Sequence, residues 1–434
     1  MMKRVVLFSV VLAISVILSA QTNISQLYLR LQMGESKEIT EEFSPLLKDS
    51  LYSDAGMILL LGDAFRNQFD YSKALDCYKR MLKLNPGDKR AMEDESDMYS
   101  YLGQQRKAIE TLKSLLKTDS TNFRVANKLA AAYQSTQEIR KAVNIYRKLY
   151  TQNIFNYNTA KILGDCYWLL GDRDSSAYFY QWADDLNGNS TTTKLNLSQI
   201  AYINKDYNSA KIFASRGVDI DSSHVLLRKQ LGNTQYKLEE YKDALFNFKY
   251  IISAGDSSAS VMKLAGICHY FMGEFNEAIP YFRKSLLEDS LNNETTYYLA
   301  ASLSMTGNYE EALITFQTAL SLTEPDPHVL YMIANQLGIV YQNLKLYEDS
   351  YKSFAEAYSL NPADSKLLYQ MAMVKGELKG EKNLEAARRH LKEYLAEIDK
   401  KGTTLTKDEI YLKSRSEWFI NKITEDLFMM EKPK

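Results

Sequence analysis

Proline and glycine are scarce in this chain, 7 and 18 among 434 residues. Turns and strand connections consume both, so composition already argues against a fold of many short strands. Cysteine is scarcer still. Cys77, Cys166 and Cys268 stand far apart, whereas a disulfide framework needs an even, closely spaced set; the three read as small buried apolar residues. Neither sign of charge is in excess. Lys plus Arg number 53 against 54 Asp plus Glu, which leaves no concentrated basic face for DNA or RNA, and no nucleic-acid partner is expected.

Long hydrophobic runs are missing too, with one exception at the start. In MMKRVVLFSVVLAISVILSAQT, Lys3 and Arg4 precede an apolar and small stretch from Val5 to Leu18, followed by Ser19, Ala20 and Gln21. That is the order of a secretory signal, and the run is shorter than the roughly 20 apolar residues of a membrane span. Residues 1–20 are therefore expected to be a signal peptide, and the mature chain to be exported, periplasmic or envelope-associated, with no transmembrane segment after signal removal. Catalytic constellations are also lacking. The histidines, His224, His269, His328 and His390, are scattered, with no HExxH and no cysteine pair to share a metal. No phosphate loop or nucleophile elbow occurs, so no enzyme activity, metal or cofactor is expected.

What the chain does have is tyrosine, 31 of them, and a period of 34 residues. Units begin at 55, 89, 123, 157, 191, 225, 259, 293 and, after one step of 38, 331. The eighth place of each is small: Gly62, Ser96, Ala130, Gly164, Ser198, Gly232, Gly266, Ala300 and Gly338. So is the twentieth: Ala74, Ala108, Ala142, Ser176, Ala210, Ala244, Ala278, Ala312 and Ser350. Four places later a ring or apolar residue recurs, from Tyr78 to Phe354, with Ala214 the exception. Apolar residues three and four apart mark two helices per unit. Small residues let the two backbones approach, the ring fills the neighbouring gap, and each hairpin must stack on the next to cover its stripe. His269 occupies the eleventh place, where five other units carry Tyr or Phe, and so reads as a packed residue.

This pattern resembles the tetratricopeptide repeat (TPR) family. Gly62, Phe65, Ala74, Tyr78 and Pro86 carry the likeness in the first unit; Leu337, Gly338, Tyr341, Phe354 and Pro362 carry it in the ninth. The family's early Trp is replaced throughout, by Ile58, Met92 or Met262 for example. The resemblance implies an all-α fold, a right-handed α-solenoid superhelix of about eleven helical hairpins with a C-terminal capping helix. Residues 21–54 are expected to form a degenerate first repeat, with Leu27, Leu31 and Leu47, and 55–364 nine repeats. A stretched repeat over 365–400 is expected to carry GELKGEKN between its helices. A cap and tail occupy 401–434, with Ile410, Trp418, Phe419, Ile423 and Leu427 at helical spacing. The extra residues in TEPDPHVL are expected to lengthen a loop through Pro325 and Pro327.

The resemblance also implies a protein- or peptide-binding scaffold whose first helices line a concave groove. Places not used for packing then become candidate binding residues. The twelfth place reads Trp168, Tyr202, Tyr236 and Tyr270 in consecutive units, and the fifth supplies Lys161, Lys229 and Lys263; Asn196, Gln199 and Asn233 add amides. Rings give contact area at low entropy cost, amides meet a peptide backbone, and lysines meet carboxylates. Lys229 with Asn233 makes half of a carboxylate clamp, whose other half fails at Leu264. A packing role for the rings, a glycan ligand in the same groove, and an accessory role in an outer-membrane or secretion assembly are the competing readings.

Overall fold

The computed structural model describes residues 24–323, 326–402 and 404–431; the expected signal peptide lies outside the described residues. Among those residues every regular element is a helix. First helices run Ala55–Asn67, Lys89–Tyr101, Phe123–Ser135, Tyr157–Leu169, Thr191–Ile203, Val225–Lys237, Ala259–Phe271, Asn293–Met305 and Pro327–Asn343. Their second helices run Tyr71–Leu84, Gln105–Thr118, Ile139–Gln152, Arg173–Leu186, Tyr207–Ile220, Tyr241–Ser253, Phe275–Glu288, Tyr309–Leu322 and Tyr347–Leu360. The chain divides into two compact units at Leu197 and Ser198. Each is a stack of these hairpins, so the fold is an all-α repeat solenoid.

Close approach within each hairpin follows from the small residues. A Cβ added at Gly164 would meet the Tyr180 ring at 2.7 Å, and one at Gly266 the Phe282 ring at 2.7 Å. Opposite them every twentieth-place residue from Ala74 to Ser350 is fully buried. Three of the four serines at these places bond the facing backbone: Ser176 Oγ donates to the Gly164 carbonyl at 2.9 Å, Ser350 Oγ to that of Gly338 at 2.7 Å, and Ser198 Oγ to that of Ala210 at 2.8 Å. The fourth, Ser96, donates through Oγ to the Glu93 carbonyl of its own helix at 2.7 Å. A hydroxyl is tolerated because it finds a backbone carbonyl, on the facing helix or on its own.

Helix boundaries are set by short polar residues. Asp54, Asp88, Asn122, Asn156 and Asn292 each precede a first helix and accept the N–H three residues on, satisfying a donor that has no partner within the helix. The turn between the helices of each repeat carries a left-handed residue at one fixed place, glycine at 103, 171, 273 and 307 but Phe69, Gln137, Lys205, Glu239 and Lys345 elsewhere. The next N–H bonds back to the first helix in both cases, as with Asp70 to Phe65 and Gly171's neighbour Asp172 to Tyr167, each at 3.0 Å. That bond holds the turn whether or not glycine occupies it.

Two loop expectations are corrected. The helix at Pro327–Asn343 is 17 residues where Asn293–Met305 is 13: the extra residues lengthen a helix, because Asp326 caps it and Pro327 is suited to its first turn. Pro325 lies outside the described residues. Likewise GELKGEKN is helical except at Lys379 and Gly380, which join Lys366–Leu378 to Glu381–Lys400. At the far end, helix Lys407–Glu431 covers the last hairpin with Ile423 and Leu427, while Ile410 and Trp418 stay exposed at 56%. At the near end, helix 24–32 and Ser36–Phe43 pack Leu27, Leu31 and Ile39 into the core beside Ile58 and Leu61, with Leu47 half-buried against it.

Candidate functional site

The structure distributes the candidate residues over both units. Lys161, Trp168 and Asn196 belong to the first; Gln199, Tyr202, Lys229, Asn233, Tyr236, Lys263 and Tyr270 belong to the second.

In the first unit, Lys161 Nζ lies 3.0 Å from Asp165 Oδ2, one helical turn along. The other Asp165 oxygen accepts the Tyr180 hydroxyl at 2.5 Å, and the Asn196 side chain lies beside the same hydroxyl. Burial first, and then that bond to Asp165, push the Tyr180 phenol well above its ordinary range. Lys161 and Asn196 therefore converge on an internal network. Trp168, 38% exposed, is the member of this trio most open to a ligand.

In the second unit the lysines are also engaged. Lys229 Nζ is 3.3 Å from Asp256 Oδ2, and Lys263 Nζ is 2.7 Å from Glu294 Oε2. A partner carboxylate at either would have to displace the resident one. The tyrosines stand edge-on to the ring that opens their own second helix: Tyr202 to Tyr207 at 5.3 Å, Tyr236 to Tyr241 at 6.2 Å, Tyr270 to Phe275 at 5.3 Å. Each ring thus has a packing role while remaining half-exposed. Burial, and then the charge of Glu294, raise the Tyr236 phenol to about 12, so it stays protonated and a donor at neutral pH. Gln199 is half-buried.

Asn233 differs from all of these. Its Oδ1 is buried and has no hydrogen-bond partner, which costs free energy of order 1–3 kcal/mol unless a donor arrives. It lies one turn from both Lys229 and Tyr236 on helix Val225–Lys237. The structure adds residues that the reading by places overlooked. Tyr298 packs against Tyr270 at 5.1 Å and Phe282 at 6.1 Å, and Tyr297 lies at 5.5 Å from Tyr298. Glu294 is the other half of the Lys263 pair. A signal for it was present: a second-place residue facing a fifth-place residue of opposite sign in the preceding repeat, the relation also made by Arg124 and Glu93 at 2.5 Å. Half-exposed rings, one acceptor without a donor, and paired charges suit recognition of a surface more than bond-making chemistry.

Models of the tetratricopeptide repeat match residues 19–161, 263–327 and 333–364. No curated protein matches the chain significantly. Among solved structures, YrrB, described as a TPR protein with an unusual peptide-binding site, is 19% identical; the match covers 43% of this chain and 94% of that one, with a TM-score of 0.39. A tetratricopeptide repeat protein from Parabacteroides merdae is 14% identical over 57% of this chain and 98% of its own, TM-score 0.42. The APC/C heterotetramer Cut9-Hcn1 matches at 16% identity over 83% and 76%, TM-score 0.41.

Proposed function

The chain belongs to the tetratricopeptide repeat family, and from that premise we propose that it is an exported, non-catalytic scaffold of the cell envelope that holds an extended segment of a protein partner. Its repeats make it a protein-interaction scaffold; the place of capture is the face of the second unit lined by Asn233, Tyr236 and Tyr270. The observation that carries this reading is the buried Asn233 Oδ1 without a donor. An extended peptide offers a backbone N–H every residue, and half-exposed tyrosines beside the acceptor give it an apolar wall. The export signal read in residues 1–20 supports an envelope setting.

The test is photo-crosslinking in native envelope, with the reactive group at position 233 in one protein and at exposed Lys249 in another. Protein adducts specific to position 233, mapped to one contiguous partner segment, are the expected result. Asn233→Leu should then weaken the purified segment's binding roughly tenfold, about 1.4 kcal/mol, by removing one buried acceptor. Adducts at both positions alike, or release of the partner by added polysaccharide, would replace this reading with a site elsewhere or with a glycan ligand.

A further inference from the structure

Arg228, in helix Val225–Lys237, is 8% exposed and makes no ion pair among the described residues. At the same place other repeats carry Ile58, Met92, Ala160 or Met262. A guanidinium taken out of water without a carboxylate costs several kcal/mol, and this one is met only by neutral groups. Nε donates to the Ser222 carbonyl at 2.6 Å and Nη1 to Asn247 Oδ1 at 3.1 Å. Its central carbon lies 4.0 Å from the centroid of Tyr250, a cation–π contact. Asn247, 4% exposed, passes the chain on through Nδ2 to Gln235 Oε1 at 2.8 Å. A guanidinium has five N–H groups in a planar fork, and most of this one's are unspent.

Arg228 lines a cavity of about 480 Å³, with Gln235 and Asn247 also on its polar side and Val218, Leu231 and Phe246 on its apolar side. Two carboxylates, Asp219 and Asp243, share the lining. Both belong to exposed residues and neither lies within ion-pair distance of Arg228. The lining is therefore dipolar, positive where it is buried and negative where it is open. A dianion such as phosphate meets repulsion from the aspartates. A cation meets Arg228. A ligand that carries a carboxylate and an ammonium side by side satisfies both, and an apolar side chain on it meets Phe246 and Leu231.

We propose that this cavity is a binding site for a small zwitterion of the α-amino acid class, its carboxylate held by the Arg228 fork and its ammonium facing Asp219 and Asp243. The site lies wholly within the second unit and is independent of the face around Asn233. Its size falls in the range of small-molecule pockets, and a planar fork on a carboxylate is the arrangement arginine favours.

Isothermal titration of the full chain with L-leucine and L-phenylalanine tests it. Saturable binding of at least one at millimolar concentration is expected, with N-acetyl-leucine, leucine methyl ester and inorganic phosphate each weaker by roughly tenfold or more. Arg228→Gln should abolish binding. Because a buried substitution can impair folding, Asp243→Asn, at an exposed position, provides the second variant: it should weaken leucine and leave N-acetyl-leucine unchanged. No binding of either amino acid to the unaltered chain would overturn the proposal, as would equal binding of N-acetyl-leucine or an Asp243→Asn protein that binds leucine as before.

Discussion

The two units stack the same hairpin with different chemistry. In the first, adjacent repeats are joined by buried or half-buried charges. Asp63, 3% exposed, accepts the Tyr78 hydroxyl at 2.9 Å and pairs with Arg90 at 2.5 Å, while Arg66 reaches Asp94 at 2.8 Å. Glu93 takes Arg124 and Lys128, and Lys128 also meets Asp97 at 2.7 Å. Lys194 and Asp184, both under 8% exposed, pair at 2.5 Å. The second unit has ion pairs between repeats too, Lys229 with Asp256 and Lys263 with Glu294. The first has a ring stack between repeats, Tyr71 on Tyr101 at 4.6 Å, but in the second unit rings gather more densely at the seams. Tyr241 stacks on Phe271 at 4.9 Å, and Tyr298 gathers Tyr270, Phe271 and Phe282 within 6.1 Å. Charges at a seam are directional and fix register, but losing one partner strands the other; rings give non-directional burial that tolerates change. The partner face and the amino acid pocket proposed above both lie in the ring-built unit.

The sharpest break of this contrast is Lys194→Met. It leaves Asp184 buried and alone, so protection of helix Arg173–Leu186 in native-state hydrogen exchange should fall by about 3–5 kcal/mol. The double variant Lys194→Met, Asp184→Leu should recover most of that loss, since an apolar pair of similar volume replaces the ionic one. A double variant as unstable as the single would show that the pair does more than satisfy itself. Smaller in effect is Tyr298→Leu in the second unit. The new side chain keeps most of the burial and loses the ring geometry, so helices Ala259–Phe271 and Asn293–Met305 should lose about 0.5–1.5 kcal/mol of protection.

Salt should separate the units further. Raising NaCl from about 0.1 M to about 1 M shrinks the screening length from about 10 Å to about 3 Å. Arg124 is 73% exposed and Lys128 31%, so their pairs with Glu93 and Asp97 should weaken by about 0.2–1 kcal/mol. Exchange around Tyr298 should be unchanged or slower, because salt does not oppose apolar burial. Equal responses in the two units would refute the distinction.

The fold was legible because its requirement is repeated. A small residue at the eighth place is needed wherever Tyr180, Phe248 or Phe282 must fit against a backbone, and a ring stands at the place of Tyr180 in seven of the nine units. The glycine-poor turns were harder: Lys205 and Glu239 take the left-handed conformation without the residue that announces it. Residues 326–327 and 376–383 were misjudged because proline and glycine read as breaks, whereas Pro327 opens a helix and Gly376 lies inside one. Places alone could not show that Lys229 is already neutralised, since Asp256 lies in the segment between two repeats, whereas the Lys263 and Glu294 pair follows a relation of places. Nor could they show that the buried acceptor at 233 lacks a donor or that Arg228 lacks a counter-ion. Those are properties of what is not nearby.

The cap gives the finest comparison, because Ile423 and Leu427 seat its helix on the last hairpin while the start of that helix is held by exposed charge. Thr406 and Glu409 make a reciprocal cap at the start of helix Lys407–Glu431: the Thr406 N–H donates to Glu409 Oε2 at 2.9 Å, and the Glu409 N–H to Thr406 Oγ1 at 3.2 Å. Lys401 adds a bond at 2.6 Å. Chiefly the Lys401 bond, and then the Thr406 N–H, hold the Glu409 carboxyl at about 2, below its ordinary 4.5. A carboxyl more acidic in the folded state binds protons less tightly there than when unfolded. Its stabilisation is therefore complete above about 4.5 and is lost as pH falls toward about 2. Exchange of the first turn of that helix should accelerate across this window, and Glu409→Gln should show faster exchange at neutral pH with little further change on acidification. Asp94 provides the opposite sign. Burial raises its carboxyl above the ordinary range, so acidification through that range relieves a penalty in the first unit while it removes a bond at the cap. Frayed residues 407–410 beside a seam at Asp94 that loses no protection or gains some is the pattern that acid titration should produce.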